Sequence, residues 1–311
     1  MKGKALNALL VREKYYPAAA GVREGGLTLR KGRPVLPMAN PRIAFQGERG
    51  SFSEEAAYKL LGRRITVNPC ETFGAIFESV VSGKTKYCLA PIENTLAGSV
   101  YENYDLLLSN DLHIVGEVSL RIVHNLIAPP GAALKDVTQV YSHPVALAQC
   151  GEFFKRHPKI EKIPFYDTAG AVKMLAERRL PGAAAIAGRI AAEVYQARIL
   201  ATHLEDHREN YTRFLLLSRS AHVSAKANKV SIVFSTRNAP GALYKCLSVF
   251  ALRDIDLTKL ESRPLRGRPF EYFFYLDFLG HLKEERCRNA LSHLAEVTNL
   301  LRVLGCYERS G

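Results

Sequence analysis

Residues Arg42–Gly62 read RIAFQGERGSFSEEAAYKLLG, and the fold turns on this stretch. Arg42–Gln46 is a short apolar run of strand type. Ser51-Phe52-Ser53-Glu54 has the S-x-x-E spacing of a capping box, which satisfies backbone N–H groups at a helix start. Gly62 then supplies a helix stop. A strand, a polar turn and a capped helix in succession form the repeating half of a β-α architecture.

The rhythm continues downstream. Thr72–Ser82 places Phe73, Ile76, Phe77, Val80 and Val81 on one helical face, with Gly83 after it. Tyr87–Ala90 reads as a strand that exits through a polar corner, Pro91-Ile92-Glu93-Asn94. Ile114–Ile127 suits a long or crossing strand. Val140–Tyr141 ends another, and Ser142-His143-Pro144 predicts a helix start with Ser142 as the N-cap and proline in the first turn. Asp167-Thr168 predicts a further capped start, and Ala183–Ala187 and Thr212–Ser218 read as strands. This alternation predicts a largely parallel sheet, with ligands bound beyond the carboxyl ends of its strands.

Arg219–Asn228 is short and polar, as a linker is. Beyond it the pattern changes. Strands are predicted at Lys229–Ser235, Asp256–Arg263, Phe270–Phe278 and Leu300–Cys306. Helices are predicted from Pro240-Gly241 to about Leu252 and over Lys283–Val297, with a basic turn at Leu265–Pro269. The order β-α-β-β-α-β is the ferredoxin-like split arrangement.

Composition limits the function classes. The chain has 311 residues, 47% of them hydrophobic and 23% charged, which is ordinary for a globular protein and enough for more than one core. No stretch approaches the roughly 18–20 continuous apolar residues of a membrane span, so no membrane partner is expected. The six cysteines are scattered without a C-x-x-C pair, as reduced, buried thiols of a cytosolic protein would be. Of the formal net charge of +13, residues 1–40 carry +6. No dense basic run with interleaved aromatics occurs elsewhere, so a nucleic-acid partner is not expected. Residues 1–40 read as a basic, disordered extension. A plastid or mitochondrial address is the alternative, although the segment lacks serine and holds Glu13 and Glu24.

Polar residues fall where strands and helices end: Glu93, Asn94, Ser99, Ser142, His143, Gln149, Thr168, Thr212 and Arg213. Ser142 and Thr168 are adequately explained as N-caps, and Asn94 as a turn residue. Arg213 lies inside an apolar strand, where a guanidinium needs an anion. That anion is either a protein carboxylate or a ligand's. His203 and His207 have the i, i+4 spacing of a metal pair, but there is no H-E-x-x-H motif and no third ligand, so a solvated polar turn is the reading. No G-x-G-x-x-G follows a strand, and no P-loop or G-x-S-x-G elbow occurs, so no cofactor is expected.

Taken together the residues resemble the prephenate dehydratase family with its C-terminal ACT regulatory domain. The motifs run in order: AFQGERGSFS (Ala44–Ser53), APIEN (Ala90–Asn94), GSVYENYD (Gly98–Asp105), SHPVALAQC (Ser142–Cys150), DTAGA (Asp167–Ala171) and NYTRF (Asn210–Phe214), then GALY (Gly241–Tyr244) and ESRP (Glu261–Pro264). Three positions depart from the usual pattern: Val145, Gly188 and Thr95. Thr95 adds a methyl group that could narrow the pocket.

The resemblance implies a two-lobed α/β catalytic region of type II periplasmic-binding-protein form over residues 41–219, then a ferredoxin-like βαββαβ ACT domain over residues 229–308. It implies a carbon–oxygen lyase that converts prephenate to phenylpyruvate without a cofactor, with arogenate as the alternative substrate. A non-catalytic amino-acid sensor is a more distant alternative. By the same resemblance Thr212 serves the leaving hydroxyl and Arg213 a substrate carboxylate. Asn94, Ser99, Ser142, Gln149 and Thr168 line the site, and Glu93 orients the arginine. Gly241, Ala242, Leu243, Glu261, Ser262 and Arg263 are implied to bind phenylalanine as a feedback effector, at an interface between subunits of a homodimer or homotetramer. The expected compartment is the cytoplasm, or the plastid if residues 1–40 are a transit peptide.

Overall fold

The computed structural model describes residues 40–265 and 270–310. The expectations for residues 1–39 and for the basic turn at 266–269 lie outside the described residues. The chain divides into two compact units, one formed by residues 40–111, 117–219 and 310, the other by residues 112–116 and 220–309 without the turn just named.

The first unit opens with β1 (Arg42–Gln46), α1 (Phe52–Leu61), β2 (Thr66–Cys70), α2 (Phe73–Val81), β3 (Tyr87–Asn94), β4 (Gly98–Ser99) and α3 (Tyr101–Ser109). The caps are local and specific. Ser51 accepts from the Glu54 N–H, Thr72 accepts from the Ala75 N–H, and Gly62 closes α1 with φ of 80°. The reciprocal half of the capping box is not made. The Glu54 carboxylate accepts from the Gly50 N–H at 2.7 Å and pairs with Arg49. β1 runs parallel to β2 and β3, and Ile43, Phe45, Phe77, Val80 and Leu89 are buried around it.

β5 (His113–Arg121) leads to a crossover at residues 122–124 and into a second lobe. That lobe contains β6 (Asn125–Ala128), β7 (Gln139–Ser142), α4 (Pro144–Ala148), α5 (Gly151–Arg156), β8 (Glu161–Pro164), α6 (Thr168–Arg178), β9 (Ala183–Ala187), α7 (Arg189–Val194) and β10 (Arg198–Ala201). Its sheet has the order β10-β6-β9-β7-β8, and the five alanine and isoleucine residues of β9 are all buried. The chain then returns through residues 202–210 to β11 (Tyr211–Ser218), which pairs antiparallel with β3. The two crossovers run side by side, tied by Ile122 N–H to Asn210 O at 2.7 Å and Leu204 N–H to His124 O at 2.9 Å.

The expected parallel sheet is therefore mixed in both lobes. β6 runs against β9 and β10, and β11 runs against β3. These are the strands beside the crossovers, where the chain enters the second lobe and comes back. Two local expectations are also corrected. β3 continues through the supposed polar corner to Asn94 because β11 pairs with it there, and Pro91 is tolerated at a register shift between Arg213 and Phe214. The N-cap of α4 is His143, whose Nδ1 accepts from the Val145 N–H. Ser142 stays in β7.

The other unit contains β12 (Lys229–Ser235), α8 (Ala242–Ala251), β13 (Leu257–Pro264), β14 (Tyr272–Leu279), α9 (Glu285–Val297) and β15 (Leu300–Tyr307). This is the βαββαβ order, with antiparallel strands arranged β13-β14-β12-β15. Val230, Ile232 and Phe234 of β12, Leu276 and Phe278 of β14, Cys246 and Phe250 of α8 and Leu291 and Leu294 of α9 form its core. β13 is the edge strand, and its residues alternate between half-buried and exposed.

Candidate active site

The carboxyl end of β3 lies against the start of β11, with Asn94 opposite Thr212 and Glu93 opposite Arg213. Asn94 Oδ1 accepts from the backbone N–H groups of Leu96 and Ala97 at 3.0 and 2.8 Å. That turn orients the amide, so its nitrogen faces β11. Nδ2 donates to Asn210 Oδ1 at 2.8 Å, to Thr212 Oγ1 at 3.0 Å and to the Tyr211 carbonyl at 3.1 Å. Thr212 Oγ1 is an acceptor in this bond, which leaves its own proton to be donated elsewhere. Thr212 is half-buried.

Thr95, expected to narrow the pocket, has its hydroxyl committed to backbone. It donates to the Glu209 carbonyl at 2.6 Å and accepts from the Tyr211 N–H at 2.9 Å. It holds the entry of β11 in place.

Arg213 resolves toward protein carboxylates. Its Nε donates to Glu117 Oε2 at 2.7 Å and its Nη1 to Glu93 Oε1 at 3.1 Å. The Arg213 and Glu117 side chains are 11% and 3% exposed, and Glu93 is 31% exposed. Glu117 also accepts from the Ser310 N–H at 3.0 Å. Nε and Nη1 thus each give a hydrogen bond to a different protein carboxylate, so part of the guanidinium's donor set is committed within the protein. Glu93 pairs with the arginine, and Ser99 on β4 lies opposite Glu93.

The network extends into the second lobe. Asn210 Nδ2 donates to Gln149 Oε1 at 2.9 Å, and Gln149 Oε1 also meets His124 Nε2 at 2.9 Å. Gln149 thus joins the hydrogen-bond network that reaches Thr212. Ser142 does not. It is fully buried, and its hydroxyl donates to the Ile186 carbonyl at 2.6 Å, binding β7 to β9. Thr168 is the first residue of α6, and the cap there is Asp167, which accepts from the Gly170 N–H at 2.7 Å. Burial pushes the Asp167 carboxyl above the ordinary carboxylate range, an effect the Gly170 N–H partly offsets. The two lobes also meet at Glu48, which accepts from Tyr166 OH at 2.9 Å and pairs with Lys173 at 3.1 Å.

Four residues of this assembly were not singled out from the sequence: Asn210, His124, Glu117 and Glu48. Glu117 carried a readable signal, an acid inside the apolar strand HIVGEVSLR that mirrors Arg213 in β11. In the His203–His207 segment, Asp206 accepts from the N–H groups of Gly151 and Glu152, and Glu205 pairs with Arg121. Among the described residues no group of three or more His, Cys, Asp or Glu is placed to hold a metal ion. No helix among them is long and apolar enough to cross a membrane.

The residues named for an effector lie in the βαββαβ unit. Gly241 caps α8 in the left-handed region with φ of 75°, and a Cβ there would meet nothing within 4 Å. Ala242 and Leu243 form the first turn of α8. Glu261, Ser262 and Arg263 lie on β13, with Glu261 3.5 Å from Lys259.

Comparison with known proteins identifies the family of the chain. Residues 43–222 match the family described as prephenate dehydratase. The chain is 45% identical over 277 residues to arogenate dehydratase/prephenate dehydratase 2, chloroplastic, of Arabidopsis thaliana, covering 86% of this chain and 72% of that one. A prephenate dehydratase from Arthrobacter aurescens, solved in complex with L-Phe, superposes with a TM-score of 0.80 at 32% identity, covering 86% of this chain and 90% of that one. A structure described as GqqA, a novel type of quorum quenching acylase, superposes with a TM-score of 0.81 at 33% identity, covering 86% and 98%. The chain belongs to the prephenate dehydratase family, carbon–oxygen lyases of phenylalanine biosynthesis.

Proposed function

We propose that the chain catalyses decarboxylative dehydration of a prephenate-type cyclohexadienol, with Thr212 as hydrogen-bond donor to the departing hydroxyl. The observation that carries this reading is the Asn94–Thr212 bond, which uses the threonine oxygen as acceptor and leaves its proton for the leaving group. In the reaction the C–C bond to the ring carboxylate breaks and its electron pair enters the ring. The C–O bond breaks, the hydroxide takes up one proton to leave as water, and CO2 departs. Aromatisation supplies the driving force. A threonine is too weak an acid to give up its proton outright, so it acts as a positioned donor while solvent supplies the net proton. Arg213 serves as the cation that holds Glu93 and Glu117 in place beside the reacting pair. Ser99, Gln149 and Thr168 complete the polar surround.

Prephenate and its amino analogue arogenate are the two substrates of this reading, because the Arabidopsis relative at 45% identity carries both activities in its name. The two differ only in a side-chain amine or keto group remote from the leaving hydroxyl. Steady-state rates with each, following phenylalanine and phenylpyruvate, test the assignment. A failure to turn over either substrate refutes it.

Residues 41–219 form the catalytic region in this reading, and residues 229–308 an ACT regulatory domain. Phenylalanine is the effector, bound around Gly241–Leu243 and Glu261–Arg263 between subunits of a homodimer or homotetramer. The L-Phe complex of the Arthrobacter protein supports this. Added phenylalanine is expected to change both turnover and sedimentation, and no change in either overturns it. The name of the Arabidopsis relative favours the plastid over the cytoplasm. Fusion of residues 1–40 to a fluorescent reporter tests that address.

A further inference from the structure

His124 is 2% exposed and sits at the crossover into the second lobe, in neither the β3 nor the β11 strand. Gln149 Oε1, which accepts from Asn210 Nδ2, is an oxygen and cannot donate. The short contact from His124 Nε2 to the same atom at 2.9 Å therefore requires the hydrogen on Nε2. His124 Nδ1 is buried and has no hydrogen-bond partner, so a second proton there would have no acceptor. The ring is thus neutral with a defined tautomer. Phe52 packs edge-on at 5.6 Å between ring centroids. Glu205, paired with Arg121, accepts from the backbone N–H of His124 rather than from the ring. Burial moves the imidazole below its ordinary pKa, in the same direction.

The network has only one polarity, and both of its ends agree on it: the turn at Asn94 aims Nδ2 at Asn210 and Thr212, and His124 Nε2–H meets the Gln149 oxygen at the far end. Between them Asn210 presents Oδ1 to Asn94 and Nδ2 to Gln149, and Asn94 presents Nδ2 to Thr212. Reversing any one amide would set donor against donor or acceptor against acceptor. We infer that His124 is a positioning residue for the dehydration. As a neutral Nε2–H donor, it holds Gln149 in the one orientation that fits the Gln149–Asn210–Asn94 relay, and so keeps Asn94 Nδ2 on Thr212 Oγ1 and the Thr212 proton available to the substrate. This deepens the dehydratase reading and rests on it.

Two substitutions separate the role from mere packing. Gln and Met have similar length and shape, but only Gln can donate toward Gln149. His124→Gln is expected to keep kcat within about threefold, and His124→Met to lower it roughly tenfold to a hundredfold with little change in KM, the scale of a misaligned catalytic group. Thermal melting of both variants should match, which separates misfolding from loss of direction. Equal activity of the two variants, or equal loss in both, overturns the inference. A second readout needs no turnover: nitrogen NMR of the intact chain labelled in histidine should show His124 as the neutral Nε2–H tautomer, without titration, between pH 6 and 8. An Nδ1–H tautomer, or ordinary titration near the pKa of about 6.5 of free histidine, overturns it as well. Inactivity of the unaltered chain with both arogenate and prephenate would refute the dehydratase reading, and the NMR result would then decide the relay by itself.

Discussion

Replacing Thr212 by Val removes one hydroxyl from the centre of the proposed reaction while keeping the shape of the side chain. The structure separates its two consequences. Asn94 Nδ2 loses Thr212 Oγ1 at 3.0 Å but retains Asn210 Oδ1 and the Tyr211 carbonyl. No buried donor is orphaned, so the stability cost is that of one net hydrogen bond, about 0.5–1.5 kcal/mol. For a domain of roughly 150–250 residues that lowers Tm by about 1–6 °C. The chemical cost is larger, because a positioned proton donor contributes roughly 10²–10⁴ in rate. That corresponds to about 3–5 kcal/mol of barrier. The expected variant is therefore folded, binds substrate with little change and turns over at least a hundredfold more slowly, while Thr212→Ser recovers most of the rate. The assay is steady-state turnover with arogenate and prephenate alongside a melting curve. A Thr212→Val protein that keeps more than about a tenth of kcat refutes the role. So does a rate loss matched by unfolding.

Three other outcomes are expected. Ser142→Ala should lower Tm by a few degrees with kcat and KM nearly unchanged, because a bond of about 1 kcal/mol to a buried carbonyl is lost; a raised KM at unchanged Tm would return Ser142 to the substrate. Glu48→Gln should cost less than about 1 kcal/mol, since both Glu48 and Lys173 are partly exposed, and the cost should shrink in high salt; a loss that salt does not touch contradicts this. His124 is held below its ordinary value of 6.5 in the fold, so the unfolded chain binds more protons just below that pH. Stability should therefore fall as pH drops through 6.5, and His124→Gln should remove that part of the slope. Asp167, raised above 3.8, contributes in the opposite sense at lower pH, losing stability as pH rises through its folded value. A pH series of melts on the two proteins measures the His124 difference directly.

Much of the fold was legible because its signals are local. Ser51, Thr72, Asp167 and Gly62 mark helix ends through contacts that span only a few residues. α3 was not anticipated, and it lacks such a mark: Val100 stands at its N-cap with no side-chain bond. β2 reads TVNPC, and its asparagine and proline are poor strand formers. The site was legible in its parts but not in its assignments. Thr212, Asn94, Glu93 and Gln149, singled out one by one, come together in one hydrogen-bonded cluster. The partner of Arg213 and the commitment of Ser142 to Ile186 depend on register and lobe packing, which a linear pattern does not encode. Asn210 lay within a quoted motif, yet only its complete burial and two opposed amide bonds set it apart.

The side-by-side crossovers have a consequence for the order of events on the ribosome. The second lobe is one continuous insertion between β5 and β11, so it can close its contacts as soon as it is synthesised. Asn94 must wait for Thr212, 118 positions later. The long loop adds only slowly to the entropic cost of that meeting, but it delays it until the insertion has emerged. The reactive pair is thus among the last contacts of its unit to form, and a chain interrupted anywhere in the second lobe carries half of the pair and no chemistry.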